Sequence, residues 1–188
     1  MFNKRGMFGT VLASVLLLGA APAVAAADCA HATDIATVLS PAVRGTALLC
    51  VTNAERAKRD LPSVRRSAQL SHAAQGHADD MVARDFFSHV TPRGWTLGDR
   101  VHATGYLTGR RDWELGEAIA WAPQPLDTPV TLMRAWLNSP GHRAIILDPS
   151  FREVGIGVAP GLTDGSAAEG ATAVLDFGFR TPSPTLPG

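Results

Sequence analysis

The sequence predicts an α+β sandwich, helices packed with a small terminal antiparallel hairpin. Two observations carry that expectation. Up to Leu147, apart from extended sequence over 113–121, the apolar residues recur at helical spacings behind recognisable start signals, and after Pro149 the pattern changes to strand alternation. Helical segments followed by a terminal hairpin pack as layers, because each element buries its apolar face on another.

Ser40-Pro41 opens the first helix, since Ser accepts a hydrogen bond from an orphan N–H and Pro is preset for the first helical position. Val43, Leu48, Val51 and Ala54 carry it toward Lys58, and Leu61-Pro62 closes it. A second helix is predicted over about 67–85, with Leu70, Ala74, His77, Met81 and Arg84 three and four residues apart. His77 falls on the apolar stripe, where a hydrogen-bonded core histidine is expected. His72 faces elsewhere, so the two make no helical metal pair. Thr91 to Gly94 reads as a turn, and 97–104 as a short helix ended by Gly105.

Extended sequence follows over 113–121 around Gly116-Glu117, and Pro123 and Pro125 break it. Thr128-Pro129 repeats the helix-start signal, and Val130, Met133, Trp136 and Leu137 extend that helix to Asn138. Ser139-Pro140-Gly141 interrupts it, and a short turn or helix carries His142 to Leu147. Val154, Ile156 and Val158 alternate with Gly155, Gly157 and Ala159, and a β-rich run over 171–179 returns across a Gly-rich loop, 161–170, as the second arm of a hairpin.

Lys4 and Arg5, an apolar stretch to about Ala21 and the small residues Ala23-Val24-Ala25 have the layout of a secretory signal peptide, read as 1–27. The expected organisation is therefore a signal segment 1–27, one domain 28–180 and a Pro-rich tail 181–188. The chain carries 17 basic and 17 acidic side chains; removing Lys4 and Arg5 leaves 15 against 17. That near balance provides no basic field for nucleic acid or anionic lipid. No transmembrane segment is expected after signal cleavage, and the destination is secreted, periplasmic or otherwise extracytoplasmic. Export places Cys29 and Cys50 where disulfides persist, so one bridge is expected, with two buried thiols as the alternative.

Three segments carry the chemistry: Phe87-Ser88-His89, Gly116-Glu117 and Trp136 to Arg143, the last containing Ser139-Pro140-Gly141-His142-Arg143. In this order and at these separations they resemble the bacterial branch of the CAP superfamily, the SCP-like domain of cysteine-rich secretory proteins, allergens and pathogenesis-related proteins. The resemblance covers about 49–180 and implies the CAP-type α-β-α sandwich. It also implies a cleft with two histidines and two acids, which in some members holds a divalent cation. His89 takes the place of the first histidine and Glu117 that of the first acid. The second acid's position is Ser139, and the second histidine's position falls near Glu153, so either His142 from the bacterial motif or Glu153 completes the candidate cleft, whose expected residues are His89, Glu117, His142, Arg143 and Glu153.

Two imidazoles and one carboxylate suit Zn²⁺ better than Ca²⁺, which wants more oxygen ligands. The metal set is then His89, Glu117 and His142; the alternative is that both histidines hydrogen-bond Glu117 and the backbone and fix the loops. No His-Glu-x-x-His signature is present, and Ser139 three residues before His142 reads as a turn residue because Pro140-Gly141 breaks the helix that would join them. Arg143 and Arg100 read as solvated surface arginines, with pairing to an acid or an anionic ligand as the alternative. Trp136 is expected to be core, and Trp113 and Trp121 flank Glu117, either along a groove or with at least one of them packed in the core. The function expected is a ligand- or partner-binding module for a lipid, glycan, peptide or wall polymer. The alternative is an extracellular hydrolase using the same cleft, with metal-bound water or Glu117 as base.

Overall fold

The computed structural model describes residues 28–166 and 168–181. The expected signal segment 1–27 and the tail beyond Thr181 lie outside the described residues. After a short 3₁₀ turn at Ala36–Val38, helix α1 spans Pro41–Ala57, strand β1 Arg65–Arg66, α2 Ala68–Ala83 and α3 Leu97–Ala103. Strand β2 spans Trp113–Pro123, α4 Pro129–Asn138, α5 Pro140–Ile146, β3 Glu153–Pro160 and β4 Gly170–Arg180.

The start signals act as the sequence suggests. The Ser40 and Thr128 side chains accept from the N–H groups of Val43 and Thr131, each with Pro following at the first helical position. Ser67 caps α2 in the same way. Thr96 and Asp99 form a reciprocal capping box on α3, and Gly105 follows it at φ +77°.

The sheet runs β1-β3-β4-β2. β2 pairs with β4, and β4 with β3, antiparallel over their whole lengths. The two-residue β1 adds in parallel beside β3, which makes the sheet mixed where the sequence pointed to antiparallel pairing only. A two-residue strand leaves no periodic signal; Ser67, which caps α2 one residue later, dominates the local pattern.

Helices cover both faces, giving an α-β-α sandwich. On one face Leu48 and Val51 of α1 and Leu132, Met133 and Trp136 of α4 pack on Val154, Ile156, Leu175 and Phe177. On the other, Ala74, Ala78 and Met81 of α2 meet Ile119 and Val174, and Leu70 packs with Val101 and Tyr106 beside α3. The glycines that alternate along β3 make this second face thin. A Cβ on Gly155 would lie 2.1 Å from the Leu70 carbonyl carbon, and one on Gly157 2.4 Å from that of Ala74. α2 thus rests on the strand backbone itself.

Alternation along β2 sends Ala118 to the α1/α4 face and Ile119 to the α2 face; Glu117, two residues before Ile119, shares the α2 face. Since β2 is an edge strand, its first half is accessible from the side, and that is where the candidate site lies. Cys29 and Cys50 form a disulfide across 21 residues, tying the N-terminal segment to α1.

Candidate functional site

Each of four elements contributes one polar side chain around Glu117. The loop after α2 supplies His89, whose Nδ1 lies 2.7 Å from Glu117 Oε1. α3 supplies Arg100, which donates through Nη2 to Glu117 Oε2 at 2.5 Å and through Nη1 to the His89 carbonyl at 3.0 Å. α2 supplies His77, with Nε2 3.0 Å from the Ser88 carbonyl and 3.9 Å from Glu117 Oε2. β4 supplies Asp176, directly opposite Glu117 in the ladder.

Burial pushes the Glu117 carboxyl up, but the His89 hydrogen bond and the Arg100 guanidinium outweigh it, so the group is held below the usual carboxylate range. Asp176 goes the other way. It is fully buried, neither oxygen has a hydrogen-bond partner, and burial followed by the facing Glu117 carboxylate raises it well above that range. Two carboxylates cannot face each other dry; a proton on Asp176 turns the repulsion into a donor aimed at Glu117. His77 is lowered, first by burial and then by Arg100, and stays neutral as the core histidine that its place on the apolar stripe suggests.

Only His89 of this network reaches solvent. Its side chain is 53 % exposed while that of Glu117 is 3 % exposed. With Nδ1 committed to Glu117, Nε2 is left for whatever occupies the cleft. His142 is lowered by burial and then by His89, and the two rings stand 6.2 Å apart between centroids. His89, Glu117 and His142 line one cavity of about 500 Å³, together with Val90, Leu97, Leu115 and Ile145. Ser139 lies on its rim as the residue between α4 and α5; among the described residues its hydroxyl bonds neither histidine.

Other sequence-singled residues fall elsewhere. Arg143 donates through Nε to the Leu137 carbonyl at 2.6 Å and does not line the cavity, because the last carbonyls of α4 need donors. Glu153 is buried in a separate cluster. Its Oε2 accepts from Tyr106 Oη at 2.7 Å and Arg180 Nε at 3.2 Å, and its Oε1 lies 3.2 Å from Arg65. That set of three donors, assembled from β1, β4 and the segment after α3, holds it out of the cleft. Trp136 is core; Trp113 and Trp121 are both exposed on β2, so neither packs in the core as expected of at least one of them, and neither lines the cavity.

The structure lends the expected metal set of His89, Glu117 and His142 no support. Both Glu117 oxygens are engaged, one of them by a guanidinium, and a cation beside Arg100 is electrostatically disfavoured. Among the described residues no group of three or more His, Cys, Asp or Glu side chains is placed to hold a metal ion. The geometry matches the hydrogen-bonding alternative for His89. Sequence reasoning missed Asp176, whose one signal was a lone acid inside the apolar run Val174-Leu175-Asp176-Phe177.

A three-layer sandwich with an imidazole-lined cleft at its edge strand defines the class of protein. The model of the cysteine-rich secretory protein family, CAP, matches residues 49–175, and the chain belongs to that family. Among curated proteins it is 35% identical over 109 residues to the uncharacterized protein YkwD of Bacillus subtilis (strain 168), covering 57% of this chain and 39% of that protein. It is 33% identical over 112 residues to the uncharacterized membrane protein YlbC of the same organism, covering 59% and 30%. The chain thus spans well under half the length of these relatives. Among solved structures it is similar to an extracellular protein containing a SCP domain from Bacillus anthracis str. Ames, with TM-score 0.60 and 29% identity over 73% of this chain and 40% of that one. An outer surface protein from Borrelia burgdorferi shares the fold, with TM-score 0.58 and 20% identity over 71% and 90%.

Proposed function

We propose that the chain is an exported CAP-domain protein, with 1–27 removed, 28–180 as the mature domain and 181–188 as its tail, and that it binds an extracytoplasmic ligand in the cleft around His89 and His142. The similarity to an extracellular SCP-domain protein and the Cys29–Cys50 bridge support the location. One observation carries the binding role: an exposed imidazole whose Nδ1 is fixed by a buried carboxylate that is itself fixed by a buried arginine. Such anchoring presents Nε2 in one orientation, so little is lost in ordering it on binding.

The lining favours a ligand class. Val90, Leu97, Leu115 and Ile145 surround the polar groups, and the one carboxylate is already paired. That suits a peptide or glycan chain, including a wall-polymer segment, better than a charged headgroup. Titrating ¹⁵N-labelled protein with soluble wall fragments, short peptides and anionic vesicles tests it. Peptide or glycan should move the His89 and His142 ring signals together, and His142→Ala should weaken binding by about tenfold, near 1.4 kcal/mol. Signals that stay still with every ligand, or that move with vesicles alone, would contradict the proposal.

The second reading is a hydrolase, favoured by the carboxylate–imidazole pair, which is how general bases are commonly oriented. It assigns the base to His89 in place of Glu117, because Glu117 is buried and doubly engaged. Turnover of any of the same ligands that disappears in His89→Ala would select it.

A further inference from the structure

A second cavity, of about 350 Å³, opens on the far side of the Arg100–Glu117 pair, between α2 and α3. Ala73, Gly76 and Ala103 give it small apolar walls, and Trp95, 52 % exposed, also lines it. Gly76 is the telling residue. A glycine inside an exposed helix costs about 1 kcal/mol relative to alanine, yet here it leaves the cavity wall bare, and a Cβ at that position would meet nothing within 4 Å.

The charge around the cavity is positive. Asp80 is spent on Arg84, and Arg100 is paired with Glu117 but keeps an unpartnered Nε–H in the buried wall. Arg93 lines the cavity with no acidic partner among the described residues. An indole face, a floor of small residues and an uncommitted guanidinium are what a flat apolar body with one anionic group needs.

We propose that this α2–α3 cavity is a second binding site, distinct from the His89 cleft, for a small amphipathic anion: an aromatic or similarly flat apolar body with a single carboxylate or sulfonate. The body lies between Trp95 and the Gly76 wall, and the anionic group meets Arg93. Arg100 separates this site from the cleft, since the same guanidinium holds Glu117 and the His89 carbonyl.

The test uses the folded chain and the fluorescent anion anilinonaphthalene sulfonate, against a naphthyl-trimethylammonium cation of similar size. The anion should bind at one site, quench Trp95 and give nuclear Overhauser contacts to the Ala73 and Ala103 methyls. Gly76→Leu fills the cavity from a helical position and should abolish binding. Arg93→Glu, a surface change that leaves the core untouched, should weaken it by at least about tenfold. The proposal is overturned if the cation binds as well as the anion, if either variant, folded by circular dichroism, binds the anion like the wild type, or if the contacts fall on Val90 and Ile145 of the cleft.

Discussion

Asp176 is the residue whose environment is hardest to reconcile with its charge. Its opposite number across the β2–β4 ladder, Glu117, keeps its charge because His89 and Arg100 serve it, whereas Asp176 has no donor of its own. A group whose folded value is raised stabilises fully below its unfolded value, near about 3.9, and that contribution is lost as pH rises through the folded value. Asn at this position keeps a donor toward Glu117 and cannot ionise. Asp176→Asn is therefore expected to melt at or above the wild-type temperature at neutral pH, with an advantage that grows as pH rises from about 4, where unfolded aspartate begins to ionise. Thermal melts across pH 4 to 8, as set by that window, check it. A variant that is less stable throughout, by the same margin at every pH, would contradict the assignment of the proton. Glu117 has the opposite sign: its stabilisation is present above its unfolded value and fades as pH falls through the lowered folded one.

Helix α1 is anchored by a residue that periodicity does not mark. Arg56 is fully buried and donates to the carbonyls of Pro62 at 2.9 Å, Ile146 at 2.7 Å, Asp148 at 3.0 Å and Phe151 at 3.4 Å. It ties α1 to the whole turn between α5 and β3, which carries no regular structure of its own. Sequence alone places Arg56 beside Glu55 and Lys58 as one more charge near a helix end. Its burial depends on where residues 146–151 fold back, and no local pattern records that. Arg56→Ala leaves the Ile146 and Phe151 carbonyls buried without this donor and is expected to cost about 3 kcal/mol or more, lowering the melting temperature by about 6 to 12 °C at this chain length. Urea unfolding with an unchanged slope checks it, and a loss below about 0.5 kcal/mol, the surface-substitution range, would contradict the clamp.

Over the whole molecule, legibility follows the range of the interaction. The Ser-Pro and Thr-Pro starts, the Gly-Val alternation of β3 and the stop at Gly105 are local chemistry, and each appears where the sequence suggests. The α-β-α layering is what the family resemblance implies. The parallel β1 and the Glu153–Tyr106–Arg180 cluster depend on chain segments far apart, so Glu153 was drawn toward the cleft by motif position alone. The Cys29–Cys50 bridge was legible from export and an even count; closing its loop stabilises the domain by roughly 3 kcal/mol on the chain-entropy account. His89, Glu117 and His142 were legible as neighbours because three motifs carry them, but the pairing of Glu117 with Arg100 required α3 to be placed. If buried Glu117 orients His89 and turns Nε2 toward the cleft, the tautomer of the His89 imidazole reports it most directly. Two-dimensional ¹⁵N NMR of the imidazole should find the proton on Nδ1 in the wild type and a loss of that preference in Glu117→Gln, with the domain still folded. A wild-type His89 protonated on Nε2, or a tautomer unchanged by Glu117→Gln, would contradict the account.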